Sequence, residues 1–183
     1  MRKSRVEAVQ TRKRIVTAAA GEFRKKGIVA TGLNDLMSAA GLTHGGFYKH
    51  FESKDQLVAE ACAEAVKTIL ERLAAAASER GGAAAAYLST GQRDNPATGC
   101  PLSAIGSELS RTDKKAREAA TEGFTRLVAV LVGKSKTQDA RRRALVAVAT
   151  MIGAVTMARV VTDPGLSAEI LSAAEKGLAA DQV

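Results

Sequence analysis

The residues best equipped for chemistry crowd into one short run, GLTHGGFYKHFESKDQL, from Gly41 to Leu57. His44, Tyr48, Lys49, His50 and Lys54 stand there around the adjacent glycines Gly45 and Gly46. Two chemistries suit such a set: a strained turn around a metal or substrate, or a polar surface laid against a large polyanion. Metal ligation needs donors that converge, whereas His44 and His50 are six positions apart, off a common helical face, with no Cys or carboxylate at ligand spacing. No metal, cofactor or catalytic residue is therefore expected in this stretch.

Cys100 is the other reactive candidate. It precedes Pro101, so it can cap a helix, a position that favours thiolate and reactivity towards electrophiles or oxidants. The competing reading is a packed, inert thiol, because cysteine is commonly buried. Cys62 falls on an apolar helical face and reads as core. An enzyme acting through Cys100 would lack a base, since both histidines lie in the first third of the chain.

The elements that must position these residues are helical. Ile15, Ala19 and Phe23 recur at steps of four behind Arg12, Lys13 and Arg14, giving a first helix over 7–26 stopped by Gly27. Leu33, Leu36, Met37 and Ala40 trace a second, with Thr31 as cap and Gly41 as stop. Thr43 can cap a third, on which Phe47 and Phe51 share the inner face while His44, Gly45, Tyr48 and Lys49 point outward. Two short helices joined by a glycine-bearing turn and braced by a longer one are the parts of a helix-turn-helix unit.

Ser53 to Gln56 has the S-x-x-Q form of a capping box, and Leu57, Ala61, Ala65, Ile69 and Leu73 carry a long fourth helix onward without a linker. Gly81-Gly82 breaks the chain, 83–88 reads as a short helix and 91–99 as a loop. Further helices are expected over 101–110, 113–132, 137–161 and 165–180, the last behind Asp163-Pro164. The fold class is all-α, about nine helices, divided at 1–53 and 54–183.

Charge supports the polyanion. The net charge is +8, and residues 1–54 hold 11 Lys and Arg against 4 Asp and Glu, whereas the remainder holds 16 against 15. A localised surplus is the footprint of a small nucleic-acid-binding unit on a near-neutral body, although a solubilising basic tail would give similar counts. With no secretory leader in view, two distant cysteines suit a reducing cytoplasm. The longest apolar run, Ala144 to Ala158, has 15 residues, short of the roughly 20 that span a bilayer, so no membrane partner is expected.

The run TRKRIVTAAAGEFRKKGIVATGLNDLMSAAGLTHGGFYKHFESKDQLV resembles the N-terminal DNA-binding domain of tetracycline-repressor (TetR) family transcription regulators. Its most specific portion is Phe47-Tyr48-Lys49-His50-Phe51 followed by Lys54, and GCPLSAIGSELSR at 99–111 resembles one branch of the family. Gly21 and Gly32 depart from the usual helix-supporting or capping residues. The resemblance implies that the third helix enters the major groove of double-stranded DNA. Thr43, His44, Gly45, Gly46 and Lys49 would then lie at or near base edges, with Tyr48, Lys54 and Thr31 on phosphates. His50 stays open between DNA contact and a hydrogen bond inside the unit.

A palindromic operator needs two units, so the resemblance also implies a homodimer. The last two long helices supply its candidate residues: Met151, Gly153, Ala154, Met157, Ala158, Ile170 and Ala174. A repressor released by a small-molecule effector needs a ligand that favours the arrangement unable to bind DNA. Cys100, Ser103, Ser107, Glu108 and Phe124 are the pocket candidates, and the scarcity of aromatics favours a small or aliphatic ligand. Thiol-based sensing through Cys100 is the alternative.

Overall fold

The computed structural model describes residues 5–76 and 82–180, so the Gly81 break lies outside the described residues. Nine α-helices and two short 3-10 helices make up the described residues, with no strand among them. They are α1 (Arg5–Lys26), α2 (Leu33–Ala39), a 3-10 segment (His44–Lys49), α3 (Lys54–Ala76), α4 (Gly82–Tyr87), α5 (Thr90–Asp94), a 3-10 turn (Pro96–Thr98), α6 (Pro101–Leu109), α7 (Lys114–Val132), α8 (Gln138–Val160) and α9 (Pro164–Ala180). The count meets the expectation, but the members differ. The third expected helix is wound as 3-10, and residues 91–99, expected as a loop, hold α5 and a 3-10 turn.

The loop acquired structure because three arginines bind its carbonyls. Arg159 of α8 donates to the carbonyls of Gln92 (2.6 Å) and Arg93 (3.0 Å), and Arg24 of α1 to that of Gly99 (2.9 Å). Arg72 of α3 donates to the Gln92 side chain (2.7 Å) and the Thr98 carbonyl (3.4 Å). Such long-range partners leave no periodic signal in the sequence, since Arg24 and Gly99 are 75 positions apart.

One core joins the whole. Ile15, Ala19 and Phe23 of α1, Leu36 and Met37 of α2, Phe47 and Phe51, and the Leu57, Ala61, Ala65, Ile69 and Leu73 face of α3 are all buried in it. Truncating a buried Phe such as Phe47 to Ala costs about 3–5 kcal/mol, comparable to the stability of a small domain. Helix α3 leaves this cluster to pack along α7, and α8 packs on both α7 and α9.

Local ends follow sequence chemistry with two exceptions. Asp113 and Thr137 cap α7 and α8 by accepting the Ala116 and Ala140 amides. Gly41, at φ +67°, ends α2, with the Leu42 amide returning to the Met37 carbonyl at 2.8 Å. At α2 the cap is Gly32 rather than Thr31, with Asp35 accepting the Gly32 amide at 3.2 Å. At α3 Ser53 caps as expected (Gln56 amide, 3.1 Å), but Gln56 reaches back to the Glu52 amide at 2.8 Å.

Helix α8, at 23 residues, is by length and composition the one helix among the described residues able to cross a membrane. It exceeds the 15-residue run because Gln138, Asp139 and the arginines join the same helix. Its Ala144, Val148, Met151, Val155 and Ala158 face is buried inside the bundle.

Candidate nucleic-acid interface

The segment His44–Lys49 is held from below by aromatic packing. Phe47 and Phe51 stack with ring centres 5.6 Å apart, and Tyr48 meets Phe47 edge-on at 5.1 Å. This anchoring turns the other side outward. Thr43, His44, Gly45 and Lys49 are exposed, and Tyr48 is 69% exposed. A side chain added at Gly45 would meet nothing within 4 Å, which leaves the backbone open to close approach. Gly46 instead faces Met37, whose Cε would lie 3.4 Å from an added Cβ. His50 is half-buried, and its carbonyl accepts from Arg12 Nε at 3.2 Å.

Several cations counted towards the basic surplus are used internally. Arg12 grips Glu60 of α3 with both terminal nitrogens and lies 4.5 Å above the Phe51 ring. Hydrogen bonding to Glu60 raises its pKa despite some burial. Arg14 donates to the Ala40 carbonyl at 2.6 Å, closing the end of α2. Arg24 is buried enough that desolvation lowers its pKa, and Lys26 pairs with Glu22 at 2.6 Å. Arg5, Lys13, Lys25 and Lys49 carry no hydrogen bond or ion pair among the described residues and are exposed.

Of the expected phosphate contacts, Thr31 is corrected and Lys54 also has a partner inside the fold. Thr31 is 0% exposed and its hydroxyl donates to the Gly27 carbonyl at 2.5 Å, so it steadies the turn from inside. Lys54 Nζ donates to the Ile28 carbonyl at 2.6 Å and lies 6.0 Å from the Phe23 ring centre. Its ammonium braces the same turn.

The five expected effector residues do not converge on one pocket. Cys100 is 0% exposed at the N-cap of α6, and Ser103 is buried with its hydroxyl on the Cys100 carbonyl at 3.1 Å. Burial raises the Cys100 pKa, outweighing the lowering by hydrogen bonds from Tyr87 and the Leu102 and Ser103 backbone. The helix N-terminus loses to desolvation here, so the geometry lends no support to an accessible reactive thiol. Burial likewise pushes Cys62 up to about 12. Ser107 is exposed, and Glu108 bonds to the α1–α2 turn, described below. Phe124 alone lines an open groove, with Leu102, Gly106, Leu109 and Ala120, of about 310 Å³. A cavity of about 540 Å³, missed in the sequence because no motif marks it, lies among α4, α7, α8 and α9, lined by Ala84, Leu131, Ala144, Ala147 and Leu178 together with Ser135, Arg142 and Arg143.

Of the expected dimer residues, Met151, Ala154 and Ala158 are buried within the protomer and unavailable to a partner. Gly153 and Met157 are exposed, and Ile170 and Ala174 half-buried. They lie in a wider apolar face: Val146, Ala149, Gly153, Met157 and Val160 at steps of three or four on α8, and Leu166, Ile170 and Ala173 on α9.

The family model for bacterial regulatory proteins of the tetR family matches residues 15–61, and that for the LmrA/YxaF-like transcriptional regulator C-terminal domain matches 62–166. A probable acrEF/envCD operon repressor of Escherichia coli K12 is 39% identical over 59 residues, 32% of this chain and 27% of that protein. The regulator TtgR of Pseudomonas putida is 41% identical over 58 residues, 32% of this chain and 28% of that protein. The matches thus span little more than a quarter of the length of these relatives. A TetR transcriptional regulator from Chloroflexus aurantiacus superposes with a TM-score of 0.78 at 29% identity, over 95% of this chain and 94% of that one. With both family models tiling the helix-turn-helix unit and the bundle behind it, the chain belongs to the TetR family of bacterial regulatory proteins, with a C-terminal domain of the LmrA/YxaF-like kind.

Proposed function

We propose that this chain is a homodimeric transcriptional repressor that binds a palindromic operator in the cytoplasm and is released by a small molecule. One observation carries the reading: residues 43–49 present exposed Thr43, His44, Tyr48 and Lys49 and an open Gly45 backbone on an aromatic base. A surface of this size reads few base pairs, so two copies must engage half-sites about 34–36 Å apart. The apolar face of α8 and α9 suits the pairing. By this reading the basic unit (1–53) reads DNA, and the body (54–183) pairs the copies and takes the effector. The 540 Å³ cavity is of ligand size and combines aliphatic side chains with Ser135, Arg142 and Arg143, which suits a small effector with an apolar body and a polar or anionic group.

Selection of bound fragments from the source organism's DNA tests this, repeated with metabolite extracts. A recurring two-half-site sequence, vacated on adding an extract, is expected. Salt-dependent binding without a preferred site would defeat the regulatory reading.

A further inference from the structure

Resting on the proposed DNA-binding function, we infer that Glu108 is a positioning residue through which the body sets the orientation of the DNA-reading unit. Glu108 belongs to α6, yet its Oε2 accepts the backbone amides of Ile28 (2.8 Å) and Val29 (3.0 Å) in the α1–α2 turn. Lys54 of α3 binds the Ile28 carbonyl of the same turn, and within it Thr31 binds the Gly27 carbonyl. One peptide segment is thereby gripped by α6 and α3 together. Gly27 suits this twice, since its φ is +91° and an added Cβ would lie 2.8 Å from Glu108 Oε1.

The other end of α6 is tied to α8. Ile105 breaks the helix with φ −133° and ψ 18°, and the adjacent Gly106 has nothing within 4 Å of an added Cβ. Just before the break, the Ser103 carbonyl accepts from Arg159 Nη1 of α8 at 3.1 Å and shares the single Thr156 hydroxyl proton (3.1 Å) with the Ile152 carbonyl (2.8 Å). Helix α6 is thus a short, jointed rod between α8, which carries much of the apolar face, and the turn that leads into α2. A movement of α6 relative to α1 must either carry the turn along or strip two amides of a charged acceptor, whose bonds are stronger than neutral ones. Two protomers joined through α8 would set the spacing of their reading segments through this link.

The test uses the full-length protein and the duplex obtained by selection, alongside a duplex carrying one half-site. Wild type, Glu108→Ala, Glu108→Gln and Thr156→Val are compared by amide hydrogen exchange at Ile28 and Val29 and by affinity for both duplexes. Glu108→Ala is expected to speed exchange about tenfold or more and to weaken two-half-site binding about tenfold, with single half-site binding changed less than about twofold. Glu108→Gln keeps an acceptor and recovers most of both effects. Thr156→Val, distant from the turn, speeds exchange at Ile28 and Val29 in the same direction but less. Should Glu108→Ala fail to fold, unchanged exchange in Thr156→Val overturns the inference. Equal losses on the two duplexes also overturn it, because Glu108 would then merely stabilise the reading unit. A wild-type protein without site preference defeats the regulator reading, and the inference with it.

Discussion

At the residue scale, charges must be sorted by whether they face solvent or fold. Lys49 is exposed and has no ion pair among the described residues, so Lys49→Ala should weaken DNA binding and, where it meets a phosphate, lower the log K against log salt slope by about one. Thr31→Val should do the opposite. It removes the 2.5 Å bond to Gly27, lowering stability by about 1 kcal/mol in denaturant unfolding while leaving the salt slope unchanged. The buried thiols make a separate, pH-dependent prediction. Burial raises Cys62 to about 12, so above pH ~8.5 the unfolded chain sheds a proton that the fold retains. Stability from this group is intact below that pH and falls as pH rises towards the folded value, by up to about 1.4 kcal/mol per unit. Tyr87 and Cys100 are shifted upward too, which adds to the fall. Urea unfolding under reducing conditions from pH 8 to 10.5 should show it, with a shallower decline in Cys62→Ser.

At the element scale, α3 and α7 approach closely because Gly123 leaves room for Val66. An added Cβ there would lie 2.5 Å from Val66 Cγ2. Gly123→Ala gains helix propensity, about 1 kcal/mol, but overpacking should outweigh it and destabilise the protein by about 1–3 kcal/mol. Val66→Ala added to it should restore part of the loss, so a double-mutant cycle should give a favourable coupling. A purely additive result would place the strain elsewhere. This glycine was illegible in the sequence, where it interrupts a helical pattern with no mark of a close crossing. The helices themselves were legible, since Ile15, Ala19 and Phe23 or Leu57, Ala61 and Ala65 announce their period directly. Residues 90–98 were not, because their order comes from Arg24, Arg72 and Arg159, distant in sequence. The same limit applies at the reading segment. Its outward residues could be named from the Phe47 and Phe51 spacing, but the internal use of Thr31 and Lys54 depends on a turn whose partners only the fold assembles.

At the scale of the whole molecule, the question is what covers the apolar face of α8 and α9. Sequence alone assigned seven residues to it, and three of them, Met151, Ala154 and Ala158, face the protomer's own core. A 15-residue apolar run cannot reveal which side is outward when nearly every position is apolar. The exposed members differ in character: Met157 is 48% and Val160 66% exposed, and Gly153 between the turns lets a facing backbone come near. Replacing Met157 with Glu puts a charge on this face without disturbing the buried side of α8. If the face pairs two copies, Met157→Glu should sediment as a monomer at concentrations where the wild type is a dimer. Its melting temperature should then fall with the lost association, because a partner that binds only the folded state stabilises it. Binding to a two-half-site duplex should weaken steeply and lose its advantage over a single half-site, since each unit now binds alone. A dimer that persists in Met157→Glu would remove α8 from the interface and leave the spacing of the reading segments to another surface.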